Sequence, residues 1–206
     1  MRRRVFTIAC AISGIAFCVA ACNSGDSDKS TTVAAQTKAP SQEELIKTGD
    51  YIVTTGLCND CHSPKLMTNM GPEVDSSKLL SGHPGTEPLP PMNTSSLTPG
   101  GWVSMAPDIT AFVGPWGVSY AANLTPDSAT GIGAWTEAQF ISTMRTGKHL
   151  GNGRPILPPM PWDEIRKKTD DDLKAMFAYL KSLPAVNNRV PGPVTPPDAM
   201  KMGASK

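Results

Sequence analysis

Two cysteines and a histidine in one five-residue string, Cys58-Asn59-Asp60-Cys61-His62, constrain this chain more than any other feature. The other cysteines, Cys10, Cys18 and Cys22, all lie near the start. No second pair is therefore left for a tetrahedral zinc site. A redox-active C-x-x-C disulfide follows a strand in a β-α-β setting, whereas the residues before Cys58 read as helix. The chemistry that uses this spacing is covalent haem attachment. Thiols three positions apart reach the two vinyl groups of one porphyrin, and the next residue sets an imidazole against the iron. The string occurs once, so one covalent haem c is expected on Cys58, Cys61 and His62, with His62 as an iron ligand.

The first residues read as an address. Arg2, Arg3 and Arg4 precede an apolar run from Val5 to Ala21, which ends Val19-Ala20-Ala21-Cys22. Small residues before a cysteine resemble a bacterial lipobox, so residues 1–21 are expected to be a lipoprotein-type signal peptide and Cys22 to be acylated. An ordinary cleaved signal or an uncleaved anchor are the alternatives, though the run is short for a spanning helix. Acylation would hold the chain on a membrane surface, not through it. Residues 22–40 are polar and have little to bury, so they read as a flexible tether. The expected location is the periplasmic side, lipid-anchored to the inner or outer membrane, with Asn23 a weak pointer to the outer one. Loss of residues 1–21 removes three arginines and no acid, which leaves a net charge of −2. No basic patch suggests nucleic acid.

Aromatic residues make up only 6% of the chain, against 18 glycines and 20 prolines. A large apolar cofactor would supply core surface that the side chains do not. Three helices are predicted. Residues 41–57 open on a Ser41/Glu44 capping box, with Leu45, Ile46, Ile52 and Val53 on one face and Gly49 placed for close approach of another helix. Thr136 to Thr146 opens on a Thr136/Gln139 box, buries Phe140, Ile141 and Met144, and stops at Gly147. Thr169 to Ser182 carries the stripe Leu173, Met176, Phe177 and Leu180, with Tyr179 beside it, and ends before Pro184. Between the haem string and the middle helix, residues 63–114 hold eight prolines and six glycines. They read as a long loop insertion with one short helix between Asp75 and Gly82. Residues 187–206 read as an extended Pro-rich tail with no assigned role.

His62 fills one axial position of an iron. The candidates for the other are His83, His149 and the methionines. Met144 and Met176 fall on helix cores, the usual place of methionine. His83, between Gly82 and Pro84, reads as a turn residue, and His149 as a surface residue at a helix end. Met160 lies in Pro158-Pro159-Met160-Pro161-Trp162, where prolines on both sides fix the backbone and lower the entropy cost of holding a weak thioether ligand. Met160 is thus the expected sixth ligand, against the plainer reading of a methionine packed under a loop. Arg145 and Arg154 are candidates for pairing with haem propionates, and Trp135 and Trp162 for lining the cleft.

The order of helix, C-x-x-C-H, middle helix, Met loop and closing helix resembles class I cytochrome c. More closely, Asn123-Leu124-Thr125-Pro126-Asp127, Gly131-Ile132-Gly133-Ala134-Trp135-Thr136, Arg145-Thr146-Gly147 and Pro159-Met160-Pro161-Trp162 resemble the haem domains of cytochrome subunits of bacterial membrane-bound alcohol and gluconate dehydrogenases. The likeness covers residues 41–186, with one haem string where those subunits usually have several. It implies a mainly α cytochrome c fold, Met160 as distal ligand, and electron traffic to a respiratory chain. It also implies a proline carbonyl accepting the Nδ1 proton of His62, for which Pro115 is the candidate. Expected partners are a dehydrogenase, an oxidase or another cytochrome. The expected role is that of a single-electron carrier, not an enzyme. The alternatives are a docking cytochrome subunit of a membrane dehydrogenase and an open-haem peroxidase or sensor, which would need a distal acid-base group.

Overall fold

The computed structural model describes residues 39–204, so Cys22 and the leader before it lie outside the described residues. The first helix, α1 (Gln42–Thr55), starts where its capping box predicts: Ser41 Oγ accepts from the Glu44 amide at 3.3 Å, and the Glu44 carboxylate accepts from the Ser41 amide at 2.7 Å. Leu57 then takes a left-handed conformation (φ 58°), which turns the chain into a short helix, α2 (Cys58–His62). Two longer helices complete the scaffold, α3 (Glu137–Thr146) and, beyond a single turn α4 (Trp162–Ile165), α5 (Asp170–Ser182). Both α3 and α5 begin on the capping boxes of Thr136 and Thr169.

The core is the meeting of α1 and α5 with α3 laid against them. Ile52 and Val53 pack with Phe140, Met144, Leu173, Met176, Phe177 and Leu180. Gly49 is where α1 and α5 touch. A Cβ there would overlap the Ala175 carbonyl oxygen and stand 2.7 Å from Tyr179 Cβ, so only hydrogen fits. The close approach inferred from Gly49 alone is borne out, with α5 as the partner.

Residues 63–114, expected as a loop insertion from their proline and glycine content, also hold short strands. They contain an antiparallel hairpin, β1 (Lys65–Thr68) and β2 (Gly71–Val74), with Lys65 opposite Val74. Two 3-10 turns follow, at Ser76–Lys78 under an Asp75 cap and at Thr94–Leu97 under an Asn93 cap. The segment then enters a second antiparallel sheet of β3 (Ser104–Met105), β4 (Ala111–Gly114) and β5 (Gly117–Tyr120). A purely α reading misses these strands because each is four residues or fewer, too short for alternation to show. Helices with short strands of this kind are consistent with a small cytochrome c-like domain.

The extended tail is also corrected. Val194 exchanges backbone hydrogen bonds with Val118 of β5, both at 2.9 Å. A further helix, α6 (Pro196–Ala204), buries Ala199 completely beside Leu97 and Val118. Prolines that look like a structureless end in fact remove donors from a segment that makes few ladder bonds, and two of them open a helix, where a missing amide costs little. One compact unit therefore begins at Ala39 and includes this segment.

His83 lies in a bend after Gly82, as its neighbours suggest, but it is buried. It is 4% exposed, its Nδ1 lies 2.7 Å from Thr110 Oγ1, and its ring stacks 5.0 Å from that of Tyr120. Thr110 Oγ1 donates to Asp108 at 2.6 Å, so its oxygen accepts from the imidazole Nδ1–H. Burial lowers its pKa from 6.5, against the weaker pull of Asp108 and Glu87 in the other direction. A base whose folded pKa is depressed gives stability that is intact above the unfolded value and lost as pH falls below it. Urea unfolding is therefore expected to lose stability between pH 7 and pH 5 more steeply in the parent than in His83→Gln. Equal slopes would show that His83 does not titrate between the folded and unfolded states.

Candidate functional site

One helical turn places Cys58 and Cys61 on the same face, three positions apart. Both are free thiols and half-buried. Burial pushes both thiol pKa values up, with Lys168 near Cys58 and Lys65 near Cys61 pulling the other way. The sulfurs are thus protonated and sheltered, not poised as a reactive pair.

His62 is 8% exposed, and burial holds its imidazole below the ordinary pKa, so the ring is neutral. Its Nδ1 lies 2.8 Å from the Ala122 carbonyl oxygen. A carbonyl can only accept, so the proton sits on Nδ1 and the Nε2 lone pair is left for a ligand. A bond of this kind fixes the ring and raises its donor strength. The acceptor is Ala122, not Pro115. Pro115 sits in the tight turn where Gly114 pairs with Gly117, whereas residues 121–124 run beside 80–83. His83 donates its amide to Ala121 O at 2.9 Å, Leu124 donates to Leu80 O at 2.9 Å, and Gly82 donates to His62 O at 2.7 Å. Ala122 is brought to His62 by that pairing, which leaves no mark on an alanine.

His62 and Cys61 border a cavity of about 340 Å³ whose walls are largely apolar. Phe112, Leu124, Ile132, Trp135 and Phe140 line it, and so does Met144, which serves the core and the cavity together. The loop Ile156–Pro161 lines it as well and brings Met160 to the same cavity as His62. The Met160 backbone is tied on both sides: its amide reaches Leu157 O at 3.3 Å, and its carbonyl accepts from Trp162 at 2.9 Å.

The other residues singled out from sequence divide. Arg154 and Trp135 border the cavity. Trp162 does not, since it packs under Gly147 with the Arg166 guanidinium 5.6 Å from its ring. Arg145 is committed elsewhere: its guanidinium donates to the carbonyls of Arg166 and Lys168 and to the Asp170 carboxylate, which it holds below the usual carboxylate range. His149 is exposed, as expected, yet borders the cavity with its ring edge-on to Trp135 at 5.1 Å. Sequence reasoning missed Arg189 to Pro193, which form another part of the wall.

Among the described residues no group of three or more His, Cys, Asp or Glu could chelate a bare metal ion. The Cys61 thiol on the cavity wall with Cys58 one helical turn away, an imidazole with free Nε2, apolar walls and a tethered thioether fit haem c.

No family model matches the chain. It is 40% identical over 77 residues to a component of the nicotinate dehydrogenase of Pseudomonas putida, which is 37% of this chain and 6% of that protein. It is 30% identical over 137 residues to the gluconate 2-dehydrogenase cytochrome c subunit of Pantoea cypripedii, 66% of this chain and 23% of that one. The cytochrome c subunit of the quinone alcohol dehydrogenase of Gluconobacter oxydans is 28% identical over 137 residues, 66% of this chain and 21% of its own length. The chain thus spans less than a quarter of the length of these curated relatives. Its homologues include cytochrome c subunits of gluconate and alcohol dehydrogenases, as the four strings between Asn123 and Trp162 led us to expect.

Proposed function

We propose that this chain is a c-type cytochrome that carries single electrons through one haem bound covalently to Cys58 and Cys61, with His62 and Met160 as axial ligands. The observation that carries the proposal is the cavity itself, which His62, Cys61 and Met160 all border. Bound there, haem supplies a one-electron couple between ferric and ferrous iron. The protein's part is to keep that change small in geometry. Ala122 holds the His62 ring in place, and the Leu157 and Trp162 backbone bonds hold the Met160 loop. The thioether favours the ferrous state, and apolar walls disfavour the extra charge of the ferric one, so both raise the potential.

The role is that of a carrier, not a catalyst, in keeping with homologues that are cytochrome subunits. We place it on the periplasmic side, held to a membrane surface by acylation of Cys22. Among the described residues no helix is long and apolar enough to cross a membrane. The names of the relatives favour a dehydrogenase as electron donor, and stable co-purification with one would make the chain a docking subunit, not a diffusing carrier.

Optical spectra of the exported, mature protein test the proposal. The reduced form should show the sharp bands of low-spin haem c. The oxidised form should show the weak long-wavelength band of sulfur-ligated iron, and neither thiol should react with an alkylating reagent. A colourless sample with two alkylatable thiols would sink it.

A further inference from the structure

Residues 187–204 are pinned at three points, and between the first two the chain lines the cavity. The first pin is Asn188. Its Nδ2 donates to the carbonyls of Ser81 and His83, each at 2.8 Å, and its Oδ1 accepts from the Gly85 amide at 3.0 Å. Its own backbone is held from the other side, since its amide donates to Thr130 Oγ1 at 3.1 Å and its carbonyl accepts from Asn123 Nδ2 at 3.3 Å. Gly85 lies so close to the next carbonyl, that of Arg189, that a Cβ there would overlap it. The second pin is the two-way backbone pairing of Val194 with Val118. The third is Ala199 of α6, fully buried beside Leu97 and Val118.

The span left between the first two pins, Arg189 to Pro193, is a strap along one wall of the cavity. Two of its residues are prolines and one is glycine, so it carries few amides that would need partners over an apolar space. It also brings a second arginine to the cavity. Arg145 and Arg166 are engaged by carbonyls, a carboxylate and an indole. Arg154 and Arg189 border the cavity, and among the described residues neither is in an ion pair.

We propose that the strap is a built part of the cofactor site and that Arg189, with Arg154, pairs with the two carboxylates of the bound tetrapyrrole. The inference rests on the haem reading above. Guanidinium groups suit planar carboxylates, and at the mouth of an apolar cavity each charge-assisted pair is stronger than in open water. The strap replaces solvent along that edge. The arginine charge keeps the propionates ionised through the neutral pH range and offsets their stabilisation of ferric iron.

The test is a redox titration of the haem-loaded protein from pH 5 to pH 9, in the parent, Arg189→Gln, Arg189→Lys and Asn188→Ala. Covalent haem content is measured first, because a parent without haem defeats the underlying reading and leaves nothing for the strap to bind. With haem in place, the parent potential should be nearly flat with pH. Arg189→Gln should lower it, so that at fixed solution potential the reduced-to-oxidised ratio falls roughly three- to tenfold. It should also acquire a pH dependence as the propionate pKa rises into the window, and Arg189→Lys should recover part of both changes. Asn188→Ala, which loosens the strap without touching its charge, should lower the potential and admit solvent to the haem edge. Arg189 is exposed, so its replacement leaves the fold intact, which unchanged thermal melting would verify. Potentials and pH profiles of Arg189→Gln and Asn188→Ala that match the parent would overturn the proposal.

Discussion

Met160→Ala is expected to turn a closed haem protein into one that binds carbon monoxide in the ferrous state. Among the described methionines that border the cavity, Met144 is 8% exposed and packed into the main core, where Ile52, Phe140 and Met176 surround it. Met160 instead sits on a loop between Pro159 and Pro161, with its own backbone bonded to Leu157 and Trp162. Alanine cannot reach iron, so the sixth position passes to water or an added gas. The potential should fall by a sizeable part of the roughly 0.8 V that axial ligands span, because a soft donor to ferrous iron has gone. Met160→His should lower the potential as well, yet keep carbon monoxide out. Carbon monoxide difference spectra and a redox titration check both. A parent-like spectrum in Met160→Ala would move the ligand role to another side chain, with Met144 and His149 next to examine.

Gly49→Val is expected to lower the melting temperature by about 10 °C, the largest stability effect we foresee from one helix–helix contact. The overlap is with backbone, the Ala175 carbonyl of α5, and backbone cannot rotate away as a side chain can. Either α1 and α5 separate, which opens the packing of Val53 against Leu173 and Met176, or the bond angles strain. Overpacking of this kind costs about 3 kcal/mol, and a unit of this size loses roughly 2–4 °C per kcal/mol. Calorimetry of the apo and haem-loaded protein would measure it. Serine should behave like a milder valine, since its Cβ meets the same oxygen. A melting temperature within a degree or two of the parent would mean the two helices are not in contact through Gly49 in solution.

What can be read from the chain beforehand follows from how local each signal is. The two capping boxes read from the sequence are contained within four residues each, and both helices begin where those residues say; the Thr169/Asp172 box of α5 is seen only in the structure. Gly49 announces a close neighbour, and α5 offers the one amphipathic stripe of matching length. The haem string is local as well. The acceptor for His62 is not legible because the bond spans sixty positions, from His62 to Ala122, and nothing in an alanine marks a carbonyl that has a duty. Arg145 misleads for a related reason. Its partners, Arg166, Lys168 and Asp170, form around the start of α5 only once α3 and α5 have packed. For residues 187–204 composition is the main signal, and proline content says that a segment is extended without saying what it lies against. His83 looks like a turn residue between glycine and proline; its burial depends on Thr110 and Tyr120, which arrive from the sheet.

The strap carries a consequence for biosynthesis. Cys58 to His62 emerge from the ribosome well before Arg189 to Pro193 do. Until the later residues arrive, one side of the cavity has no wall, and the Asn188 contacts to Ser81, His83 and Gly85 do not exist. If haem is attached as proposed, thioether formation on an incomplete chain would meet a cleft still open on that side. On the same reading, docking of the late segment would be the step that closes the site.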